Sequence, residues 1–214
     1  MRLAIFGGTG RSGQPLVAQA LTRGYEVTAL VRSTGKAAAV LPPDADGLTL
    51  VEGDLLNAAA VSKAVAGTDA VINVAGQVKG APEDLQQRAI GHILAAMDEH
   101  GVRRIVTLTG AGVRLTGDTP KAVDRIFGTA LKLLQGKLLA DSVAYVEAVR
   151  TGDTDWTVVR APRLLDGPAT GTVVSRPHVG QGTSSKLTRE DLATFLLDAV
   201  TDDATIGTAP AVSN

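Results

Sequence analysis

Short apolar runs alternate along the chain with longer segments whose apolar residues recur every three or four positions. Met1–Phe6 is a run of strand length, and Leu16, Val17, Ala20 and Leu21 then repeat at helical spacing behind Pro15, a residue suited to a first helical turn. The exchange continues. Tyr25–Arg32, Leu48–Val51, Asp69–Val74, Arg104–Thr109 and Asp155–Arg160 read as further strands. Ala58–Val65 is Ala-rich, Pro82–His100 carries Leu85, Ala89, Ile93 and Met97 on one face, and a long region from about Pro120 to Arg150 is helical in pattern. Apolar strands without polar alternation are covered on both faces, and strands separated by helix-length segments pair in parallel through right-handed crossovers. The expected fold is α/β: one doubly wound domain spanning residues 1–214, with a mainly parallel sheet and helices on both faces.

Beyond the sixth strand the pattern loosens. Leu164–Ser185 is rich in Gly, Pro, Thr and Ser, with Thr172–Ser175 as a short strand, before Thr188-Arg-Glu-Asp191 caps a helix running to Val200. The segment of about 160–188 is expected to fold over the carboxyl edge of the sheet, where open α/β sheets hold their ligands. It would form the substrate side.

Composition narrows the chemistry. At 44% hydrophobic residues the chain can bury a sizeable core. Its 21 basic and 22 acidic residues leave a net charge of −1, which gives no reason to expect nucleic acid or a membrane surface as partner. The absence of cysteine excludes disulfides, thiolate metal sites and Cys nucleophiles, and the three scattered histidines support no metal site. No targeting pattern precedes the first strand and no apolar run reaches membrane-spanning length. A cytoplasmic monomer or weak homodimer is expected.

The first strand runs directly into Gly7-Gly-Thr-Gly10-Arg-Ser-Gly13, glycines at a strand-to-helix turn. There they allow tight backbone angles and close approach of main-chain N–H groups to a pyrophosphate, whose charge the helix N-terminus favours. Gly7, Thr9, Gly10, Arg11, Ser12 and Gly13 are therefore candidate phosphate-loop residues of a dinucleotide site. The second strand ends at Arg32, not at an acid. A guanidinium there favours a ribose 2′-phosphate over a 2′-hydroxyl, so NADP(H) is expected over NAD(H), with Lys36 either adding charge or lying solvated. Asp54 and Leu55 follow the third strand, where they would receive the adenine, although a turn Asp is an equal reading. Val74, Ala75 and Gly76 close the fourth strand and Thr109 the fifth, flanking the ribose and nicotinamide. Thr109 is placed to orient nicotinamide or substrate, or is simply a β-former.

Other patterns are missing. Tyr145 is followed at the fourth position by Val149, so there is no Tyr-x-x-x-Lys proton donor, and no Gly-x-Ser-x-Gly nucleophile is present. His92 and His100 read as surface residues, and His178 lies in the substrate-side segment.

The runs GGTGRSG, GYEVTALVR, VEGDLLNAAAVSKAVAGTDAVI, AAMDEHGVRRIV, RAPRLLDGPATG and SKLTREDLATFLLDAV resemble the atypical short-chain dehydrogenase/reductase family (NAD(P)H-binding, NmrA-like group), on its flavin- and biliverdin-reducing branch. The resemblance covers nearly the whole chain. It implies a single Rossmann domain in which NADPH delivers hydride to a small planar acceptor, a flavin, quinone or linear tetrapyrrole. By motif, Thr9, Gly10, Ser12, Arg32, Asp54, Leu55 and Gly76 would hold the cofactor, with Pro162 beside the nicotinamide. Gly110 and Arg163 stand where the biliverdin-reducing member carries serine and histidine, which disfavours the tetrapyrrole and makes Arg163 a candidate anion-holding catalytic residue. An NADP(H)-sensing regulator is the alternative function. An epimerase acting on a nucleotide sugar is disfavoured by the missing Tyr-x-x-x-Lys pair.

Overall fold

The structure, a computed structural model, describes residues 1–42, 45–78, 80–119 and 122–214, with the backbone alone described for 122–135. Six strands, β1 (Arg2–Phe6), β2 (Glu26–Val31), β3 (Leu48–Glu52), β4 (Ala70–Asn73), β5 (Arg104–Gly110) and β6 (Asp155–Ala161), pair in parallel. With β8 (Val174–Arg176) and β10 (Ala211–Ser213) they form a sheet of order β3-β2-β1-β4-β5-β6-β10-β8, in which only the β8 pairing is antiparallel. The expected doubly wound, mainly parallel sheet is thus what the chain forms.

Helices α1 (Gly13–Thr22) and α6 (Arg189–Thr201) cover one face through a core that includes Leu16, Val17, Leu192 and Leu196. Helices α3 (Ala58–Val65), α4 (Leu85–His100) and α5 (Ala122–Thr151) cover the other through Val61, Ile90, Ile93 and Val149. Every residue of β4 is buried, as a strand covered on both sides requires. Helix α4 is held at its start by a residue from another helix: Asp141 of α5 accepts from the Gln86 and Gln87 amides at 3.0 and 2.9 Å. A carboxylate at that end meets unpaired N–H groups and the positive helix dipole.

The sequence pattern missed several short elements. Helix α2 (Thr34–Ala37) follows β2, while β7 (Arg163–Leu165) and β9 (Lys186–Thr188) pair with each other as a small parallel sheet outside the main one. Three-residue strands carry too little periodicity to read. β8 forms two residues later than the expected Thr172–Ser175, and β10 had no counterpart. Helix α4 begins at Leu85 rather than Pro82, and the expected start of α5 at Pro120 lies outside the described residues.

Two buried polar clusters tie down the segment that follows β6. Arg160 is fully buried and pairs with buried Asp118 at 2.6 Å, while also donating to the carbonyls of Ala209 and Pro177. Asp118 in turn accepts from the Leu115 and Val179 amides. Neither charge is stranded, and the pair joins the chain after β5 to β6 and to residues 177–179. Asp191, 2% exposed, receives the amides of Thr170 and Gly171, the hydroxyls of Thr170 and Thr188, and the side-chain amide of Asn214. Burial pushes its pKa up, but these donors overcome that and hold it at about 2.

A carboxylate whose pKa is lowered by folding stabilises the fold at pH above its unfolded value and loses that contribution as pH falls. The Asp191 contribution is therefore complete above about pH 5 and disappears toward pH 2, at about 2 kcal/mol in all. Asp191→Asn is expected to lower stability by at least that order at pH 7 and to flatten the acid limb, measured by chemical denaturation between pH 2 and 7. Parallel pH profiles for the two proteins would contradict this.

Candidate functional site

A cleft of about 420 Å³ opens at the carboxyl edge of the sheet. Its walls are the turns after β1 (Gly7, Thr9, Gly10), β2 (Arg32), β3 (Gly53–Leu56) and β4 (Val74–Gly76), closed by Val78, Gly80–Pro82 and Leu85. It lies where the strand order reverses between β1 and β4, the ligand crevice of such sheets.

The glycines divide by role. A Cβ on Gly7, whose φ is +83°, would lie 2.6 Å from the Ala75 amide nitrogen, and one on Gly13 would lie 2.1 Å from the Gly7 carbonyl oxygen. Both are demanded by backbone packed on backbone. Gly76 meets nothing within 4 Å, and a Cβ on Gly10 would touch only the Gly7 oxygen, at 3.2 Å. These two line open space, so their missing side chains leave room in the cleft.

The helix behind the loop is prepared for an anion. Ser12, at the N-cap of α1, makes no capping hydrogen bond through its side chain, and the first turn carries no acidic residue. In that first turn the Gln14 amide is bonded to the Gly10 carbonyl at 2.9 Å and Pro15 has no N–H, so what the turn offers an anion is chiefly the positive end of the helix dipole. Gly10 is held back by its own N–H bond to Gly7 at 3.0 Å, and Gln14 steadies the turn through the Thr9 carbonyl.

The opposite wall hangs on buried polar groups. Asn73 accepts from the Ala75 amide at 3.1 Å and donates to the Tyr145 hydroxyl at 3.1 Å. Burial pushes the Tyr145 phenol well above its ordinary pKa, so this tyrosine is a fixed neutral group that shapes the Val74–Gly76 turn. Asp54 is a turn residue, one of its oxygens accepting from the Leu56 amide at 2.8 Å, and it also lines the cleft. His92 corrects an expectation, because it is half-buried and bonds the Leu55 carbonyl at 3.0 Å, supporting the cleft from behind.

The cleft brings together Gly7, Thr9, Gly10, Arg32, Asp54, Leu55, Val74, Ala75 and Gly76 of the expected residues. Gly13 is buried beneath the loop, and Arg11, on its exposed side, pairs with Asp166, which also binds Arg189 at 2.7 Å. Thr109, Pro162 and Arg163 stand outside the cleft wall at the ends of β5 and β6. Thr109 is 6% exposed and its hydroxyl has no partner, whereas Arg163 is exposed at the start of β7. A buried hydroxyl left unpaired is a costly arrangement unless a ligand completes it. His178 lies elsewhere, packed on Gly117 in a groove with Arg150 and Trp156.

Sequence reasoning did not find Asn73, Gly53, Val78, Gly80, Ala81, Pro82 or Leu85. Asn73 and Gly53 bracket strand ends and could have been found by position; the loop after β4 has no motif. Among the described residues no cluster of three or more His, Asp or Glu could hold a metal ion, and no helix is long and apolar enough to cross a membrane.

A family model described as NAD(P)H-binding matches residues 7–203. An isoflavone reductase homolog of Zea mays is 39% identical over 83 residues, covering 36% of this chain and 27% of that protein. Photosystem II assembly factor Ycf39 of Synechocystis sp. is 32% identical over 111 residues, covering 50% of this chain and 32% of that protein. The chain thus spans about a third or less of the length of these two curated relatives. Among solved structures, a short-chain dehydrogenase/reductase of Veillonella parvula in complex with NADP superposes with a TM-score of 0.83 at 20% identity, covering 100% of this chain and 94% of that one. ChuY, an anaerobillin reductase of Escherichia coli O157:H7, superposes with a TM-score of 0.78 at 20% identity, covering 100% and 97%.

The two kinds of glycine should respond differently to substitution. Gly76→Val is expected to leave the melting temperature unchanged and to weaken dinucleotide binding at least about tenfold by filling the cleft. Gly13→Ala should cost on the order of 2–4 kcal/mol of stability, because neither backbone can yield. Calorimetry with binding titrations tests both, and a destabilised Gly76→Val with normal binding would reverse the assignment.

Proposed function

This chain belongs to the NAD(P)H-binding family, and on that footing we propose that it is an NADPH-dependent reductase of a small planar acceptor such as a flavin or quinone. The observation that carries the cofactor is the cleft: Gly10 and Gly76 open to it, Arg32 just after β2 lines it, and the N-terminus of α1 lies behind the loop without a side-chain cap. Arg32 supports NADPH over NADH, since its guanidinium can pair with a 2′-phosphate in two parallel hydrogen bonds. Asp54 and Leu55 would receive the adenine, and Val74–Gly76 the ribose nearer the nicotinamide.

When bound, NADPH supplies a hydride. The residues of this chain bind and orient. The Thr109 hydroxyl, buried and unpaired, would hold the nicotinamide or the acceptor at the end of β5. Pro162 would pack beside the nicotinamide, and exposed Arg163 would hold an anionic substituent or developing negative charge. Tyr145 is buried against Asn73 and does not serve as an acid, so the proton is drawn from solvent. That suits flavins and quinones, whose reduction needs mainly a stacked geometry. Gly110 and Arg163 weigh against a linear tetrapyrrole.

Steady-state oxidation of NADPH against FMN, riboflavin, small quinones and biliverdin, with NADH as control, tests the reading. Turnover with a flavin or quinone is expected, together with a preference for NADPH. Thr109→Val should lower kcat by about tenfold or more while NADPH still binds, and Arg163→Ala should raise KM for charged acceptors. Tight NADPH binding without turnover of any acceptor would falsify the reductase and favour an NADP(H)-sensing regulator.

A further inference from the structure

Glu52 is the last residue of β3, and its register partner on β2 is Val31, the residue before Arg32, so the two chain ends lie next to each other there. A carboxylate so close to Arg32 could act against a phosphate there in two ways. It could pair with the guanidinium, or it could repel the incoming dianion. It is instead turned onto Thr34: one oxygen, Oε2, accepts from both the Thr34 amide and the Thr34 hydroxyl, each at 2.9 Å. Thr34 opens α2, the turn that follows Arg32, and Ser33 accepts from the Lys36 amide within it.

We propose that Glu52 is a specificity-positioning residue, which pins the Arg32–Lys36 turn to the end of β3 so that the Arg32 side chain faces a 2′-phosphate. The proposal rests on the NADPH reading above and extends it to a residue that touches neither cofactor nor acceptor. Its logic is geometric. A surface turn of five residues has no apolar anchor of its own except Ala37, which is buried just beyond it. Two hydrogen bonds to a charged acceptor fix the first residue of the helix and therefore the chain leading into it. The hydrogen bond from the Thr34 amide, followed by that from its hydroxyl, draws the Glu52 pKa below its ordinary value, consistent with an engaged carboxylate.

Removing Glu52 also removes a negative charge near the 2′-phosphate, so a single variant would mix two opposed effects. Glu52→Gln deletes the charge and keeps an acceptor for Thr34; Glu52→Ala deletes both. The decisive comparison is between these two, by equilibrium titration of NADPH and NADH monitored through cofactor fluorescence, alongside melting temperatures. NADPH should bind Glu52→Ala about three- to tenfold more weakly than Glu52→Gln, with NADH affinity the same in both. Equal NADPH affinity in the two variants, or equal weakening of NADH, would overturn the positioning role. Wild-type protein that binds NADH as tightly as NADPH would instead overturn the Arg32 reading itself.

Discussion

The site depends on one contact of backbone against backbone. The turn after β1 is pressed between the start of α1 and the end of β4, so that neither Gly7 nor Gly13 has room for a Cβ. Close approach on the inside leaves the outer surface of the same loop, at Gly10, open to the cleft. Packing and binding are therefore two sides of one piece of chain. The contact also couples the loop to Ala75, whose amide is held by Asn73, and through Asn73 to Tyr145 in α5. A helix on the far side of the sheet thus helps set the wall of the cleft.

The second half of the molecule uses charge where the first uses glycine. Its segment after β6 has little apolar content with which to anchor itself, and the Arg160–Asp118 and Asp191 clusters serve instead. Buried charges of this kind add little net stability over apolar packing, yet they punish any other arrangement by leaving an ion unpaired. That penalty suits a segment that has to be held in one place. The Arg11–Asp166 pair, being exposed, is a weaker tie between the same segment and the turn after β1.

The chemistry follows from which groups are left without partners. The N–H groups at the start of α1 lack a side-chain cap, and the Thr109 hydroxyl is buried alone. Gln77 Oε1, the Thr154 hydroxyl, His178 Nδ1 and Arg189 Nε are also buried without a partner, and Thr109 differs from them in standing at the end of β5, on the carboxyl edge of the sheet. Tyr145, the residue that most resembles an acid by type, is spent on Asn73. The arrangement favours binding and orientation over proton transfer by this tyrosine.

The sequence by itself determined the sheet and many of the residues that line the cleft. Apolar strand runs and helical repeats are local patterns imposed by burial, and the phosphate loop, Arg32, Asp54, Leu55 and Val74–Gly76 all sit at strand ends that those patterns locate. Strands of three residues, such as β7 and β9, leave no such trace. Only the tertiary structure decided that Asn73 reaches Tyr145, that Asp141 caps α4 and that His92 supports Leu55, because each joins residues far apart in the chain. Their partners are chosen by packing geometry, and no spacing along the chain encodes it. The same reason separates Glu52 from Thr34 in the sequence, while the pairing of β2 with β3 brings Glu52 to the turn that holds Thr34.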